Sequence, residues 1–176
     1  MRRVLVTGGA GFIGSHFIRI LLAEEADAQV VNLDVLTYAG NLANLADVAS
    51  SPRYRFVRGD IRDMKVAQEL AADADWIVNF AAESHVDRST KARAGEFIDT
   101  NVYGAYVMLE ATRQVNRGAR FLQVGTDEVY GDVPFPEFPT EQAMLAPSSP
   151  YSAAKAGADH IALAFHRTHQ MDVIVS

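Results

Sequence analysis

The chain has 176 residues, 49% of them apolar and none of them cysteine, which is enough for one domain with a full core and excludes disulfides and thiol catalysis. With 22 acidic residues against 16 basic ones the formal charge is −6, and no basic cluster points to nucleic acid or an anionic membrane surface. No apolar run approaches a membrane span, and the N-terminus leads straight into a strand pattern without a signal peptide, so a cytoplasmic setting is expected.

Residues 3–7 are a short branched apolar run and read as a buried parallel strand. Glycines follow at once. Gly9-x-Gly11-x-x-Gly14 and Gly8-x-x-Gly11-x-x-Gly14 both fit a dinucleotide-binding turn, and a helix is expected over 12–24 with Phe17, Ile18, Leu21 and Leu22 on one face. Such a turn lets the backbone approach a pyrophosphate, and the helix start offers free N–H groups and the positive end of its dipole. A second strand, 29–33, ends at Asp34, 20 residues after Gly14. A carboxylate there accepts hydrogen bonds from a ribose diol and repels a 2′-phosphate, and no Lys or Arg follows before Arg53, which favours NAD over NADP. An ordinary aspartate capping a turn is the alternative.

Residues 37–41 read as a loop, 44–48 as a short helix and 54–58 as a third strand. Gly59-Asp60-Ile61 then suits an adenine edge, or simply precedes a helix capped by Asp63. A fourth strand, 76–80, leads through Ala81 and Ala82 into the polar stretch 83–89. A long helix is expected over 94–116, with Phe97, Ile98, Val102, Ala105, Met108, Leu109 and Thr112 at helical spacing and Thr100 and Asn101 interrupting them. A fifth strand, 120–124, ends before Gly125-Thr126-Asp127-Glu128. Residues 135–149 are proline-rich and read as a covering loop, Pro150 starts a helix to about residue 170, and a sixth strand begins at Val173. Repeated strand–helix units imply an α/β fold: a doubly wound parallel sheet of about six strands with helices on both faces, its ligands at the carboxyl ends of the strands.

Two clusters can do chemistry. Tyr151 and Lys155 are four apart on one helix face. A lysine ammonium, together with the positive ring of an oxidised nicotinamide, is expected to lower the phenol's pKa, so that the phenolate takes a proton from a hydroxyl as hydride leaves the same carbon. Thr126, Asp127 and Glu128 form the second cluster, where one acid and one base are what an elimination of water requires; two acids capping a turn are the plainer reading. Of the histidines His16, His85, His160, His166 and His169, the last two lie three apart on a helix without accompanying acids. They read as surface residues, and no metal is expected.

Thr7-Gly8-Gly9-Ala10-Gly11-Phe12-Ile13-Gly14 together with Tyr151-Ser152-Ala153-Ala154-Lys155 resembles the extended short-chain dehydrogenase/reductases. Three further stretches narrow the resemblance: Leu36-Thr37-Tyr38-Ala39-Gly40-Asn41, Ala82-Glu83-Ser84-His85-Val86-Asp87-Arg88-Ser89, and Thr126-Asp127-Glu128-Val129-Tyr130-Gly131. Together they look like the dTDP-glucose 4,6-dehydratases. The resemblance implies a Rossmann-type domain over 1–176 that binds NAD and carries the catalytic residues. Gly8, Gly11, Phe12, Ile13, Gly14, Asp34, Val35, Leu36, Thr37, Asp60, Ile61, Phe80, Ala81, Ala82, Ser84 and Thr100, with Tyr151 and Lys155, would contact the cofactor. Ser84 and Thr126 would touch a nucleotide-sugar substrate, with Asp127 as acid, Glu128 as base and Tyr151 as the base of the oxidation, supported by Lys155. The implied reaction oxidises C4 of a hexose, eliminates water across C5 and C6, and returns hydride to C6. A nucleotide-sugar 4-epimerase and a non-catalytic NAD-binding fragment are the alternatives. A homodimer through helix packing is expected. Because the chain stops in strand six, a missing C-terminal substrate region and a chain that binds NAD with little activity of its own are expected.

Overall fold

The computed structural model describes residues 2–84, 94–134 and 136–176. Strands β1 (Arg2–Thr7), β2 (Ala28–Asp34), β3 (Tyr54–Arg58), β4 (Trp76–Asn79), β5 (Arg120–Gln123) and β6 (Val173–Val175) form one sheet in the order β3-β2-β1-β4-β5-β6. Every pairing is parallel, with Val4 of β1 opposite Val30 of β2 on one side and Trp76 of β4 on the other. The direction of winding therefore reverses between β1 and β4, and a crevice opens where the chains leaving those two strands diverge. The strands begin or end within a residue of the expected positions.

Helix α1 (Phe12–Glu24) covers one face of the sheet, where Ile18 and Leu22 meet Val4, Val6, Val30 and Val78. The other face carries α2 (Met64–Ala71), α3 (residues 94–115) and α4 (Pro150–His169) over Leu5, Leu33, Ile77 and Phe121. Because both faces are covered, the central strands read as continuous apolar runs rather than alternating ones. Each fully buried Leu or Phe in such a core is favoured by roughly 1.5–3 kcal/mol over the exposed state. Asp63 caps α2 by accepting from the N–H groups of Lys65 and Val66. Ser149 and Ser152 form a reciprocal cap at the start of α4, where Pro150 takes the first turn, and Gln170 ends the helix in the left-handed region at φ 56°.

Two expectations are corrected. The long helix expected over 94–116 is α3 in three parts: α-helical over Ala94–Phe97, π-wound over Ile98–Gly104, and α-helical again over Ala105–Val115. Phe97 and Asn101, four residues apart, are buried together, while Ile98, expected on the apolar face, is 57% exposed. The short helix expected at 44–48 is instead a 3₁₀ turn, Leu42–Leu45, begun three residues earlier by the Asn41 side chain accepting from the Ala43 N–H.

A buried polar ladder crosses the three central strands near their carboxyl ends. Thr7 Oγ1 donates to Asn79 Oδ1 (2.5 Å), and Asn79 Nδ2 donates to Gln123 Oε1 (2.8 Å). Thr7 Oγ1 also accepts from the Ala81 N–H (3.3 Å). All three side chains are at most 2% exposed. Their mutual satisfaction makes this polar burial tolerable and couples β1, β4 and β5 in register. Asn79→Ala is expected to lower the free energy of unfolding by about 1–3 kcal/mol for each partner left unsatisfied. Urea denaturation checks this, and an unchanged midpoint would show that the ladder does not tie the strands together.

Candidate active site

The site starts where β1 ends. Gly8 takes φ 69°, and a Cβ built on it would lie 2.7 Å from the Ala81 backbone nitrogen. No other residue permits that approach without strain. A Cβ on Gly14 would lie 2.5 Å from the Gly8 carbonyl oxygen, so α1 packs directly on the turn. Gly11 precedes α1 without a side-chain cap, and Phe12 and Ile13 stand 90% and 64% exposed beside it. Of the two glycine spacings open in the sequence, Gly8, Gly11 and Gly14 line the cleft. Gly9 faces the sheet instead, where a Cβ would strike Asn32 Oδ1 and Ile18.

Asp34 is tied into this turn. Its Oδ2 accepts from the Ala10 N–H (2.9 Å) and its Oδ1 from the Leu36 N–H (2.8 Å). Leu36 takes a left-handed φ of 60° to make that contact, and its side chain is not on the cleft wall. The Ala10 carbonyl accepts from the Asn41 N–H and Asn44 Nδ2, which pins the 37–41 loop beneath the glycines. Farther along the strand edge the Arg62 guanidinium grips Asp60 through Nε (3.0 and 3.1 Å) and Nη2 (2.6 Å), holding the Asp60 carboxyl below its usual range.

These elements enclose a cleft of about 720 Å³. Val35, Thr37, Ile61, Phe80, Ala81, Ala82, Ser84 and Thr100 line it, with Tyr151 and Lys155 at its far end. The donor set fits a dinucleotide: bare glycine backbone and an uncapped helix start for a pyrophosphate, a carboxylate for a ribose diol, and small side chains after β4 for a flat ring. Among the described residues no group of three or more His, Cys, Asp or Glu could hold a metal ion. No helix of the described residues is long and apolar enough to cross a membrane. Residues 85–89 of the polar stretch, with His85, Val86, Asp87, Arg88 and Ser89, lie outside the described residues.

At the far end Tyr151 is 9% exposed, its ring edge-on to the buried Phe97 at 6.3 Å. Lys155 is 5% exposed, and its ammonium donates to the Val124 carbonyl. Thr126 begins a 3₁₀ turn, Asp127–Tyr130, by accepting from the Glu128 N–H (3.4 Å), and the Ala146 N–H donates to the Val129 carbonyl (3.0 Å) to hold the following loop. Asp127 and Glu128 are exposed beside the cleft rather than on its wall. In the protein alone the Tyr151 phenol stands above its ordinary pKa, contrary to the expected lowering. Burial pushes it up, the charges of Glu128, Asp127 and Asp159 add to the rise, and a hydrogen bond with Thr126 opposes them. Burial likewise pushes the Lys155 ammonium down, against the charge of Asp159.

Three contributors escaped the sequence reading. Arg62 orients Asp60, and the two-residue spacing of opposite charges was the available signal. Asn101 accepts from the Glu83 N–H (2.8 Å) and donates to its carbonyl (3.0 Å), fixing the chain after β4; its polar interruption of an apolar helix was noted but not its partner. Asp159 lies buried at 6% exposure four residues beyond Lys155, with nothing in the sequence to mark it as buried.

Comparison with known proteins follows the same lines. The family model described as GDP-mannose 4,6 dehydratase matches residues 5–176. The chain is 53% identical over 173 residues to the low-salt glycan biosynthesis protein Agl12 of Haloferax volcanii, covering 98% of this chain and 54% of that protein. It is 50% identical over 178 residues to a dTDP-glucose 4,6-dehydratase of Streptomyces niveus, covering 99% and 52%. A crystal structure of the dTDP-glucose 4,6-dehydratase of Streptomyces venezuelae, solved with NAD bound, superposes with a TM-score of 0.93 at 51% identity, covering 98% of this chain and 54% of that one. The chain thus spans about half the length of the relatives it matches. With the family model matching nearly from end to end, the chain belongs to the GDP-mannose 4,6 dehydratase family.

Proposed function

We propose that the protein carries out NAD-dependent dehydration of a nucleotide-diphosphate hexose, dTDP-glucose to its 4-keto-6-deoxy product. The observation that carries this reading is the Thr126–Asp127–Glu128 turn standing next to Tyr151 and Lys155 at one end of a dinucleotide-shaped cleft. An epimerase needs the tyrosine and the lysine but has no use for the paired acids. The likeness to dTDP-glucose 4,6-dehydratases of about 50% identity supports the same choice of substrate.

The chemistry that a nicotinamide supplies is a reversible store for one hydride, taken from C4 of the sugar and returned at C6. Gly8, Gly11, Gly14 and Asp34 would hold the cofactor's pyrophosphate and ribose, and Phe80 to Ala82 its ring. Tyr151 takes the proton of the C4 hydroxyl, with Lys155 offsetting the burial and the neighbouring carboxylates that otherwise hold the phenol protonated. The C4 ketone acidifies the C5 hydrogen. Glu128 removes that proton while Asp127 protonates the departing C6 hydroxyl, and Thr126 and Ser84 hydrogen-bond the sugar. We assign the reaction to the cytoplasm, where nucleotide sugars and NAD are both at hand.

Assayed at the length of its relatives, the protein is expected to convert dTDP-glucose to the 4-keto-6-deoxy product. Glu128→Gln or Asp127→Asn should lower turnover about 10²–10⁴-fold without changing NAD affinity. Formation of a 4-epimer without loss of water would refute the dehydratase reading. By itself the 176-residue chain is expected to bind NAD and turn over little, because remote contacts to the nucleotide half of a substrate help to align the reacting sugar.

Asp34 is expected to make NAD bind far better than NADP. Since its carboxylate also holds the Ala10 and Leu36 N–H groups, Asp34→Ala should narrow the gap by weakening NAD as well as by admitting NADP. Calorimetry with both nucleotides checks this, and equal affinities in the parent would overturn it.

Two copies are further proposed to pair across α3 and α4, where Ile98, Tyr103 and Tyr106 remain 38–57% exposed on α3. Sedimentation as a single copy at micromolar concentration would rule this pairing out.

A further inference from the structure

Helix α4 carries Tyr151, Lys155 and Asp159 at successive four-residue steps, and therefore along one face. The first two belong to the site; the third has no evident work. Asp159 is 6% exposed, and its Oδ1 has no hydrogen-bond partner. Its Oδ2 lies only 3.3 Å from where a Cβ on Gly125 would sit. Gly125 directly follows Val124, whose carbonyl receives the Lys155 ammonium. Glycine at 125 thus leaves room for a carboxylate to stand immediately behind the lysine.

A buried, partly unbonded carboxylate is costly and is not kept for packing. No hydrogen bond holds it to the scaffold through Oδ1, and among the described residues no ion pair with Lys155 shorter than 4.0 Å forms. What remains is its charge. On α4 the charged and titratable groups around it are Lys155, His160 and Tyr151. Just beyond β5 its Oδ2 faces the Gly125 backbone, whose N–H donates to the Ser176 oxygen (3.0 Å).

We propose that Asp159 is a positioning residue whose carboxylate is the counter-charge that keeps the buried Lys155 ammonium protonated beside Tyr151. The inference rests on the functional reading above, in which a charged Lys155 supports the tyrosine base. The physical need is direct: burial disfavours the charged ammonium, a nearby anion favours it, and a neutral amine gives Tyr151 no electrostatic support. The same burial raises the Asp159 carboxyl to about 6. Asp159 is therefore ionised above that value, and its support for the lysine fades as the pH falls through it.

The chain has only three lysines, Lys65, Lys91 and Lys155, so ¹³C labelling of lysine side chains gives a tractable NMR titration, with Lys155 assigned by its loss in Lys155→Arg. In Asp159→Asn the Lys155 midpoint is expected to fall by about one pH unit or more, tenfold in its protonation ratio, and Asp159→Glu should restore it. A midpoint unchanged in folded Asp159→Asn overturns the proposal. Should that variant not fold, the parent decides. In a His160→Gln background, which removes the neighbouring imidazole, the Lys155 signal should still inflect near pH 6 as Asp159 titrates, and a flat response there overturns the proposal. None of these readouts requires substrate. Absence of 4-keto product from the protein assayed at the length of its relatives, alongside an intact lysine shift, refutes the dehydratase reading and leaves the counter-charge standing.

Discussion

Between β1 and β4 the chains leaving two adjacent strands come so close that position 8 must be glycine. The Gly8 backbone rests on that of Ala81, and the buried Thr7–Asn79–Gln123 ladder lies directly beneath. One rigid seam thereby fixes two walls of the cleft at once. The glycine turn and α1 form the wall on the β1 side, and the small residues after β4 form the other. If the seam shifted, the dinucleotide-shaped space would lose its depth, because Gly8, Ala81 and Ala82, where the two walls meet, have no long side chains that could refill it. Asp34 extends the constraint sideways by tying the turn to the end of β2 through Ala10 and Leu36.

The far end of the cleft is governed by burial. Tyr151, Lys155 and Asp159 are each at most 9% exposed along one helix face. In a low-dielectric setting each charged form is disfavoured by burial, favoured by an opposite charge and further disfavoured by a like one, so their protonation is linked. Burial and the nearby carboxylates thus favour the protonated Tyr151 phenol in the protein alone, and a positive charge beside it would act the other way. The carboxylates of the 127–128 turn remain exposed, so their environment is set by whatever covers that edge of the sheet.

The π-wound segment of α3 serves the same seam from outside the sheet. In it Asn101 faces inward, where that side chain takes both backbone groups of Glu83, while Phe97, four residues earlier, braces Tyr151. One helix thus positions both the strand-end loop and the Tyr151 ring.

The sequence determined much of this protein by itself. Periodicity gave the strands and helices, because parallel strands covered on both faces are uninterrupted apolar runs and helices with one buried face are not. Spacing brought the glycines, Asp34, Tyr151 and Lys155 to one edge, since all of them stand at carboxyl ends of strands or on the first turns of helices. Only the tertiary structure decided which glycine faces the cleft and which one packs on Asn32. It alone revealed that Asp34 is spent on backbone N–H groups, that 98–104 winds as a π-helix, and that Asp159 is buried with its Oδ1 unbonded. These features depend on contacts between residues far apart in the chain, Gly8 with Ala81 or Asn101 with Glu83, and on water excluded by elements that pack later. Local sequence carries the repeat of a pattern; it does not carry which side chain on the far side of a sheet fills the remaining space, nor how much solvent is left to pay for a buried charge.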